Sequence, residues 1–301
     1  MTPAAKREIK KTLIGLGFSL PVIVGILGFT ILPMILSLIY SFCDYDVLTP
    51  MKFIGLGNYI KMFTPEPYGV WEGFSNSLRI TFVYAIISVP MSLILSFLLA
   101  VFANRKLRGM AVYRVLFYIP VLIPAVVSAL LWSDILDVDF GFINLLMHRF
   151  GKEGFTFLSS EDTALTTFIL LSLFGIGGNI ILWTAQLKNI PETMYEAASL
   201  ETNNPMYKFL HITIPYSTPM IFYNLIMGII GSLQVFGGAF LLSGVAPGAL
   251  DFYVCYIYNQ AFSRQSFGMA CALSWVLFII IGIITMLIFK KSGWVQYGEE
   301  M

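Results

Sequence analysis

Charged residues in this chain are confined to short segments that separate long apolar runs. Six runs contain no Asp, Glu, Lys, Arg or His, and each is about as long as the roughly 20 residues that a membrane-spanning helix needs. They cover residues 12–43, 80–104, 115–133, 163–187, 212–250 and 265–289. One such run would be unusual in a water-soluble domain, so six of them predict an all-α integral membrane protein with six spans.

Composition agrees with this class. Hydrophobic residues make up 57% of the 301 positions and charged residues 12%, and the mean hydropathy is +0.81. A formal net charge of +1 gives no electrostatic footprint for nucleic acid. The first run follows a basic segment, as in a signal peptide, but it exceeds the roughly 7–15 apolar residues of a cleaved one. It is therefore predicted to be a retained first helix.

The loop charges predict the orientation. Most lysines and arginines fall in alternate segments, namely 1–11, 105–114, 188–211 and 290–301. The positive-inside rule then places both termini in the cytoplasm. The predicted organisation is a cytoplasmic tail over 1–11, a six-helix transmembrane domain over 12–291 and a second cytoplasmic tail over 292–301.

Several classes of transporter and enzyme lack their usual residues here. No titratable residue lies well inside a run, whereas proton-coupled carriers and voltage sensors place such groups at membrane depth. No Gly-x-x-x-x-Gly-Lys-Ser/Thr phosphate loop occurs, so ATP would have to be bound by another chain. Cys43, Cys255 and Cys271 have no metal-ligand spacing, and no metal site is predicted.

Two alternatives remain open at this point. One is a channel or secondary carrier, which would transport without ATP. The other is an integral-membrane transferase, whose metal would need an acidic cluster such as Asp134, Asp137 and Asp139. The predicted orientation places these three residues on the outside, away from cytoplasmic nucleotide donors.

Prolines within the runs predict either bends around a pathway or ordinary kinks packed against neighbouring helices. They are Pro21, Pro33, Pro90, Pro120, Pro124 and Pro219.

The segment between the fourth and fifth runs predicts two short helices. Pro191 suits the first turn of one helix, where Glu192 complements the helix dipole. A second helix is predicted to begin at Asn203-Asn204-Pro205, with an Asn as cap and Pro205 just inside, and to run to about His211. On composition alone, a short amphipathic helix lying on the membrane surface is an alternative interpretation.

The stretch from Glu196 to Pro215 resembles the EAA motif of permease subunits of binding-protein-dependent ABC importers. In that family the motif helix docks into a cleft on a cytoplasmic ATPase subunit. The resemblance implies an ATPase-coupling loop over 188–215, with Glu196, Ala197, Ala198, Glu201, Thr202 and Phe209 as coupling residues. Alanines would permit close approach, Phe209 would supply apolar area and Glu196 would pair with a basic group.

The chain departs from this motif at one place. Thr202 and Asn203 stand where the family usually has Gly-Ala. Asn tolerates a left-handed conformation better than most non-Gly residues, so Asn203 is expected to keep the bend.

Further motifs extend the resemblance over nearly the whole chain, towards the sugar-importing branch of the maltose and multiple-sugar type. They lie at 53–59, 114–120, 141–144, 212–215 and 231–236. The resemblance implies the six-span type I importer permease fold, with cytoplasmic coupling helices, in a prokaryotic cell (inner) membrane.

The same resemblance implies the partners of the chain. They are a second, different permease subunit, two copies of a cytoplasmic ATPase and an extracellular or periplasmic solute-binding protein. ATP and Mg²⁺ would be bound by the ATPase, with no cofactor in this chain and no enzymatic activity of its own. Membrane lipid would surround the spans.

Sugars are bound by aromatic stacking and by hydrogen bonds from amides and hydroxyls. The predicted substrate-pathway residues are Gln234, Phe236, Asn224, Tyr223, Tyr84 and Trp132. Gln234 and Phe236 are favoured because Gly231, Gly237 and Gly238 leave open volume beside them. An interhelical hydrogen bond is the alternative role for the amides, more so for Asn224. A non-sugar or phosphorylated solute such as glycerol phosphate is an alternative to an oligosaccharide.

Overall fold

The computed structural model describes residues 3–65, 69–105, 108–246 and 248–295, with the side chains of residues 3–13 and 294 outside the description. The α-helices in chain order are α1 (Pro3–Ile26), α2 (Leu32–Ser41), α3 (Gly57–Phe63), α4 (Val70–Ala103), α5 (Met110–Tyr118), α6 (Ala125–Ile135), α7 (Phe142–Arg149), α8 (Glu161–Ser172), α9 (Gly177–Lys188), α10 (Glu192–Glu201), α11 (Pro205–Lys208), α12 (Ile214–Leu233), α13 (Gly237–Leu242), α14 (Tyr253–Tyr258) and α15 (Phe267–Lys290).

Short segments of other geometry join these helices. Three are π-helical turns at Leu27–Ile31, Phe209–Thr213 and Asn259–Ser263, and three are 3₁₀ turns at Ile119–Leu122, Leu173–Ile176 and Ser292–Trp294. Strands β1 (Cys43–Asp44) and β2 (Lys52–Phe53) form a two-stranded antiparallel ribbon.

In the described part of the chain, five helical segments are long and apolar enough to cross a membrane. They are Ile14–Ser41, Val70–Ala103, Glu161–Lys188, Pro205–Leu242 and Phe267–Lys290. A sixth candidate consists of Met110–Leu122 and Ala125–Ile135, two halves bent by 96°. The prediction of an all-α, multi-span membrane protein is therefore confirmed.

The six prolines have different effects. Pro120 and Pro124 flank the break in the third span, where the missing N–H groups and the fixed ring geometry prevent a continuous helix. Pro21, Pro90 and Pro219 lie inside continuous α-helices. Pro33 lies in the first turn of α2, where proline is well tolerated.

The chain divides into two compact units, and the first comprises Met1–Val70 and Ile257–Leu277. Asn58 fastens the end of its first span: the buried amide donates to the carbonyls of Ser41 and Cys43 at 3.0 and 2.9 Å. Gly268 lies against the same Cys43 carbonyl, so closely that an added Cβ would be 2.1 Å from its oxygen. The segment 53–59, noted for its family resemblance, thus has a structural role through Asn58.

The second unit comprises Trp71–Tyr256 and Phe278–Met301. One packed cluster in it includes Tyr84, Leu250 and Phe252. The other includes Phe97, Trp183 and Ile212, with Trp183 fully buried and its Nε1 donating to Ser96 Oγ at 3.1 Å. Residues of the predicted substrate pathway pack in the first cluster, and residues of the predicted coupling loop pack against the second.

Candidate functional site

The predicted coupling loop folds as two short helices, α10 and α11, as expected from the sequence. The bend between them differs from expectation, because neither Thr202 nor Asn203 has a positive φ. Thr202 is instead extended, with φ −153° and ψ 140°. Asn204 then caps α11, its Oδ1 accepting from the Met206 N–H at 2.9 Å. An extended residue followed by an Asn cap replaces the left-handed turn, so the bend needs no glycine.

Helix α10 presents one face outward and one face inward. Glu196, Ala197 and Glu201 are exposed, and Leu200 on the same side is 92% exposed. Ala198 is half-buried and packs against the cluster around Trp183. The two alanines of the motif therefore do different work: Ala197 lies on the outer surface and Ala198 holds the helix to the protein.

Two contacts fix α10 and α11 to the spans. Tyr195 Oη and Thr213 Oγ1 share a hydrogen bond of 2.9 Å. Phe209 is half-buried, and its ring centroid lies 5.9 Å from that of Phe97, which in turn contacts Trp183 at 4.9 Å. Phe209 thus anchors the loop internally, and only part of its side chain remains for a partner.

The predicted substrate-pathway residues fall into two groups. Tyr84, Trp132 and Phe236 belong to one packed cluster. Tyr84 is buried between Phe168 and Phe252, at centroid distances of 5.6 and 5.2 Å. Tyr84 is therefore enclosed by protein within its own unit.

The remaining candidates lie on α12 and just after it. Gln234 is exposed at the end of α12, and its side chain makes no hydrogen bond within the described residues. Tyr223 is 49% exposed. Asn224 is buried, and its amide donates to the Met220 carbonyl of the same helix at 2.9 Å. That bond satisfies one donor of Asn224 without any interhelical contact.

A cleft of about 670 Å³ opens beside the break in the third span. Trp132, which packs edge-on against Phe174 at 4.8 Å, lines it together with Gly238. Ser128 and Ser172 supply hydroxyls to an otherwise apolar lining. Sequence reasoning missed both serines, because isolated serines in spanning helices carry no distinctive spacing. It also had no signal that the cleft would form at a helix break.

The acidic residues considered for a metal-dependent transferase do not form a metal cage. Asp137 Oδ1 instead accepts from the backbone N–H groups of Asp139 and Phe140, at 2.9 and 3.1 Å. Among the described residues, no group of three or more metal-ligating side chains comes together.

Comparison with known proteins decides the family, although no family model matches the chain. The chain is 39% identical over 301 residues to the probable ABC transporter permease protein YesP of Bacillus subtilis, covering 98% of this chain and 96% of that protein. The chain belongs to the ABC transporter permease family. This confirms the resemblance inferred from the motifs.

Two further relatives are named for sugar transport. The permease is 30% identical over 282 residues to the arabinooligosaccharides transport system permease protein AraP of Bacillus subtilis, covering 92% of this chain and 87% of that one. It is 29% identical over 262 residues to the maltose/maltodextrin permease protein MalF of Escherichia coli K12, covering 82% of this chain and 50% of MalF.

The fold is shared with a solved ABC importer. A chain in the crystal structure of a bacterial ABC transporter that imports the acidic polysaccharide alginate matches this permease with a TM-score of 0.87, at 21% identity, over 98% of this chain and 100% of that chain. The predicted importer permease fold is thus confirmed.

Proposed function

We propose that this permease forms half of the pathway for an oligosaccharide in an ABC importer, and that a separate ATPase drives it through the surface of α10. The observation that carries this proposal is the combination of an exposed outer face on α10 with a firmly packed inner face. A surface helix without a partner would not need that anchorage. The named substrates of AraP and MalF support an oligosaccharide.

The proposed partners follow from the same family. A second permease subunit would complete the pathway, and two ATPase copies in the cytoplasm would bind ATP and Mg²⁺. A solute-binding protein would deliver the sugar, as supported by the related alginate transporter, whose structure includes a periplasmic protein bound to an alginate pentasaccharide. In the proposed orientation both termini are cytoplasmic.

The outer face of α10 suits docking into a cleft. Ala197 allows the partner backbone to approach, and Glu196 can form a charge-assisted hydrogen bond with a cationic side chain. Leu200, which sequence reasoning did not include, is 92% exposed. Covering a leucine side chain contributes roughly 1.5–3 kcal/mol, so Leu200 would provide much of the apolar contact.

The anchors supply a route for movement. A displacement of docked α10 would pass through the Tyr195–Thr213 hydrogen bond to the base of α12. It would pass through Phe209 and Phe97 to α4. Both helices are spans, so movement of the ATPase would reach the membrane without a flexible intermediate.

The cleft supports an uncharged substrate over glycerol phosphate. None of its described lining residues is charged, whereas a phosphorylated solute would require cationic partners. Trp132 offers a ring face for a sugar, and Ser128 and Ser172 offer hydroxyls for hydrogen bonds. Gln234 and Phe236 remain the proposed contacts at the end of α12.

Charge reversal at the coupling surface tests the ATPase connection. In the assembled importer, Glu196→Lys is expected to reduce co-purification of the ATPase and to lower sugar uptake. Glu153→Lys is the matched control, because it makes the same charge change at an exposed residue outside the loop. Normal uptake and normal co-purification with Glu196→Lys would contradict the coupling role.

A second substitution tests the pathway separately. Gln234→Ala is expected to lower uptake while the basal ATP hydrolysis of the complex stays intact. Asn224→Ala serves for comparison. Because the Asn224 amide donates a hydrogen bond within its own helix, its loss should change uptake less. Unchanged uptake with Gln234→Ala would remove this residue from the pathway.

A further inference from the structure

A second cavity, of about 510 Å³, opens where α4 and α9 end and where α5 and α10 begin. Among the described residues, the polar side chains that line it are those of Asn104, Arg105, Arg114, Lys188, Glu192 and Tyr195. Three cations against one carboxylate leave this cavity positively charged. Lys188 is the first residue of the coupling loop, but neither it nor the two arginines belong to the exposed face of α10 or line the substrate cleft.

Arg114 has a structural role that also fixes it in the cavity. Its Nε and Nη2 donate to the Ala103 carbonyl, at the end of α4, at 3.1 and 2.8 Å. A guanidinium has five N–H donors, so this capping bond uses only part of its capacity. The side chain is half-buried and held in place, which lowers the entropic cost of binding an anion with the remaining donors.

Arg105 and Lys188 are exposed, and neither side chain makes a hydrogen bond or ion pair within the described residues. Lys188 lies in the last turn of α9, where a cation is favourable for the helix alone. The helix dipole explains Lys188, and the positive-inside bias explains why cations lie in segments 105–114 and 188–211. Neither explains why three of them line one cavity. The N-terminus of α10, which begins at Glu192 in the same wall, adds a partial positive charge.

The helices that begin or end at the cavity expose apolar side chains. On α5, Val112, Val115 and Leu116 are 62, 59 and 55% exposed. On α9, Ile181 and Leu182 are 46 and 45% exposed. A cationic cavity at the end of spanning helices that expose apolar side chains matches a molecule with an anionic head and hydrocarbon chains.

We propose that this cavity binds the phosphate headgroup of an anionic phospholipid, with the acyl chains lying along α5 and α9. Arg114 provides the fixed donors, while Arg105 and Lys188 close over the phosphate as mobile cations. The site depends on the ends of the spans at Ala103 and Lys188 and not on the ATPase, so it can be tested without the coupling proposal. Occupied, it would tie the base of α10 to the lipid surface.

Native mass spectrometry of the full chain, released from micelles doped with phosphatidylglycerol or phosphatidylcholine, provides the test. Wild-type chain should retain phosphatidylglycerol in preference to phosphatidylcholine. Each cation near an anionic lipid surface contributes roughly a factor of five in binding, so the double variant Arg105→Gln with Lys188→Gln should bind phosphatidylglycerol about 25-fold more weakly. Arg114 is left unchanged because its loss would uncap α4.

Lys290→Gln with Lys291→Gln is the matched control, because it removes two exposed cations at the end of α15, away from the cavity lining. This control should keep phosphatidylglycerol binding within about twofold of wild type, since the cavity is unaltered. Equal losses in the two double variants, or no preference over phosphatidylcholine, would overturn the site. Unchanged phosphatidylglycerol binding in the variant Arg105→Gln with Lys188→Gln would also overturn the site. The cations would then be assigned to a protein partner.

Inorganic phosphate separates a lipid from a soluble phosphate compound as the occupant. Excess inorganic phosphate should leave the phosphatidylglycerol adduct in place, because the apolar side chains of α5 and α9 hold the acyl chains. Displacement by inorganic phosphate alone would overturn the lipid assignment. Unfolding of each variant in the same detergent shows whether a loss of lipid reflects the site or the fold.

Discussion

Substituting Gly177 by alanine tests a close backbone crossing in the second unit. Gly177 is the first residue of α9, and its φ of −55° and ψ of −36° are open to any residue. The constraint is steric: an added Cβ would lie 2.1 Å from the Phe117 carbonyl oxygen and 3.0 Å from Val121 Cγ2. An ordinary contact needs at least 3.4 Å, so the two backbones must separate by about 1 Å.

Overpacking of this kind costs about 1–3 kcal/mol, while alanine in place of glycine returns about 0.5–1 kcal/mol to a helix. We therefore expect Gly177→Ala to lower the free energy of unfolding by roughly 1–2 kcal/mol. Gly178→Ala is the matched control, since its Cβ would meet nothing closer than Val121 Cγ1 at 4.0 Å. It should instead stabilise the chain by a few tenths of a kcal/mol, or about 0.5 kcal/mol at most.

Equilibrium unfolding of the purified chain in mixed micelles, followed by tryptophan fluorescence, measures both variants. Val121 also lines the cleft beside the third-span break, so sugar uptake should fall with Gly177→Ala and not with Gly178→Ala. Equal stability of the two variants would refute the close crossing. A destabilised Gly178→Ala would refute the reasoning about space.

Other predictions concern the coupling loop and the loop before α14. The Tyr195–Thr213 hydrogen bond can be removed in a double-mutant cycle with Tyr195→Phe and Thr213→Val. The coupling energy should be about 0.5–1.5 kcal/mol. Additive effects of the two substitutions would contradict the role of this bond as an anchor. Ala197→Leu should impair ATPase binding without changing the stability of the permease, whereas Ala198→Leu should lower the unfolding midpoint. The reverse result would show that the outer and inner faces of α10 were assigned the wrong way round. Burial raises the pKa of Asp251 above 3.8, so its contribution favours folding at low pH and is lost as pH rises through the raised pKa. Asp251→Asn should reduce that decline in pH-dependent unfolding, and an unchanged pH profile would count against it.

The spans were predictable because a membrane helix must be apolar along its whole length. The fourth and sixth runs match their helices within two residues. The second run, which starts at residue 80, gives only part of α4, which begins at Val70. The extra turns carry Glu72 and Arg79. A prediction based on uncharged residues therefore starts the helix too late.

The third and fifth runs show a different limit. Both are uninterrupted in hydrophobicity, yet the third bends by 96° between its halves. The fifth is interrupted between Leu233 and Gly237. Such breaks depend on the backbone geometry of a few residues, and a hydrophobicity pattern does not predict that geometry. Pro120 and Pro124 indicated a break in the third span. In the sequence, however, they could not be distinguished from Pro90 and Pro219, which lie in continuous helices.

The coupling motif was recognisable in the sequence, but the direction of each side chain was not. Ala197 and Ala198 are chemically identical neighbours, and only packing against the cluster that contains Trp183 separates the inner residue from the outer one. Asn203 was expected to keep the bend because Asn tolerates a left-handed conformation, whereas the chain uses an extended Thr202. Leu200 was not counted among the coupling residues because an isolated leucine carries no motif.

The break in the third span also has a consequence for hydration. Where Met110–Leu122 ends and Ala125–Ile135 begins, carbonyls of the first half and N–H groups of the second lose their helical partners. Only some are recovered locally, as in the Ile123 N–H bond to Pro120 O at 3.3 Å. Hydrocarbon cannot satisfy any groups that remain unpaired, so we expect ordered water in the adjoining cleft despite its mostly apolar walls. The main chain itself, rather than any charged side chain, would then keep this part of the membrane wet enough for a sugar to pass.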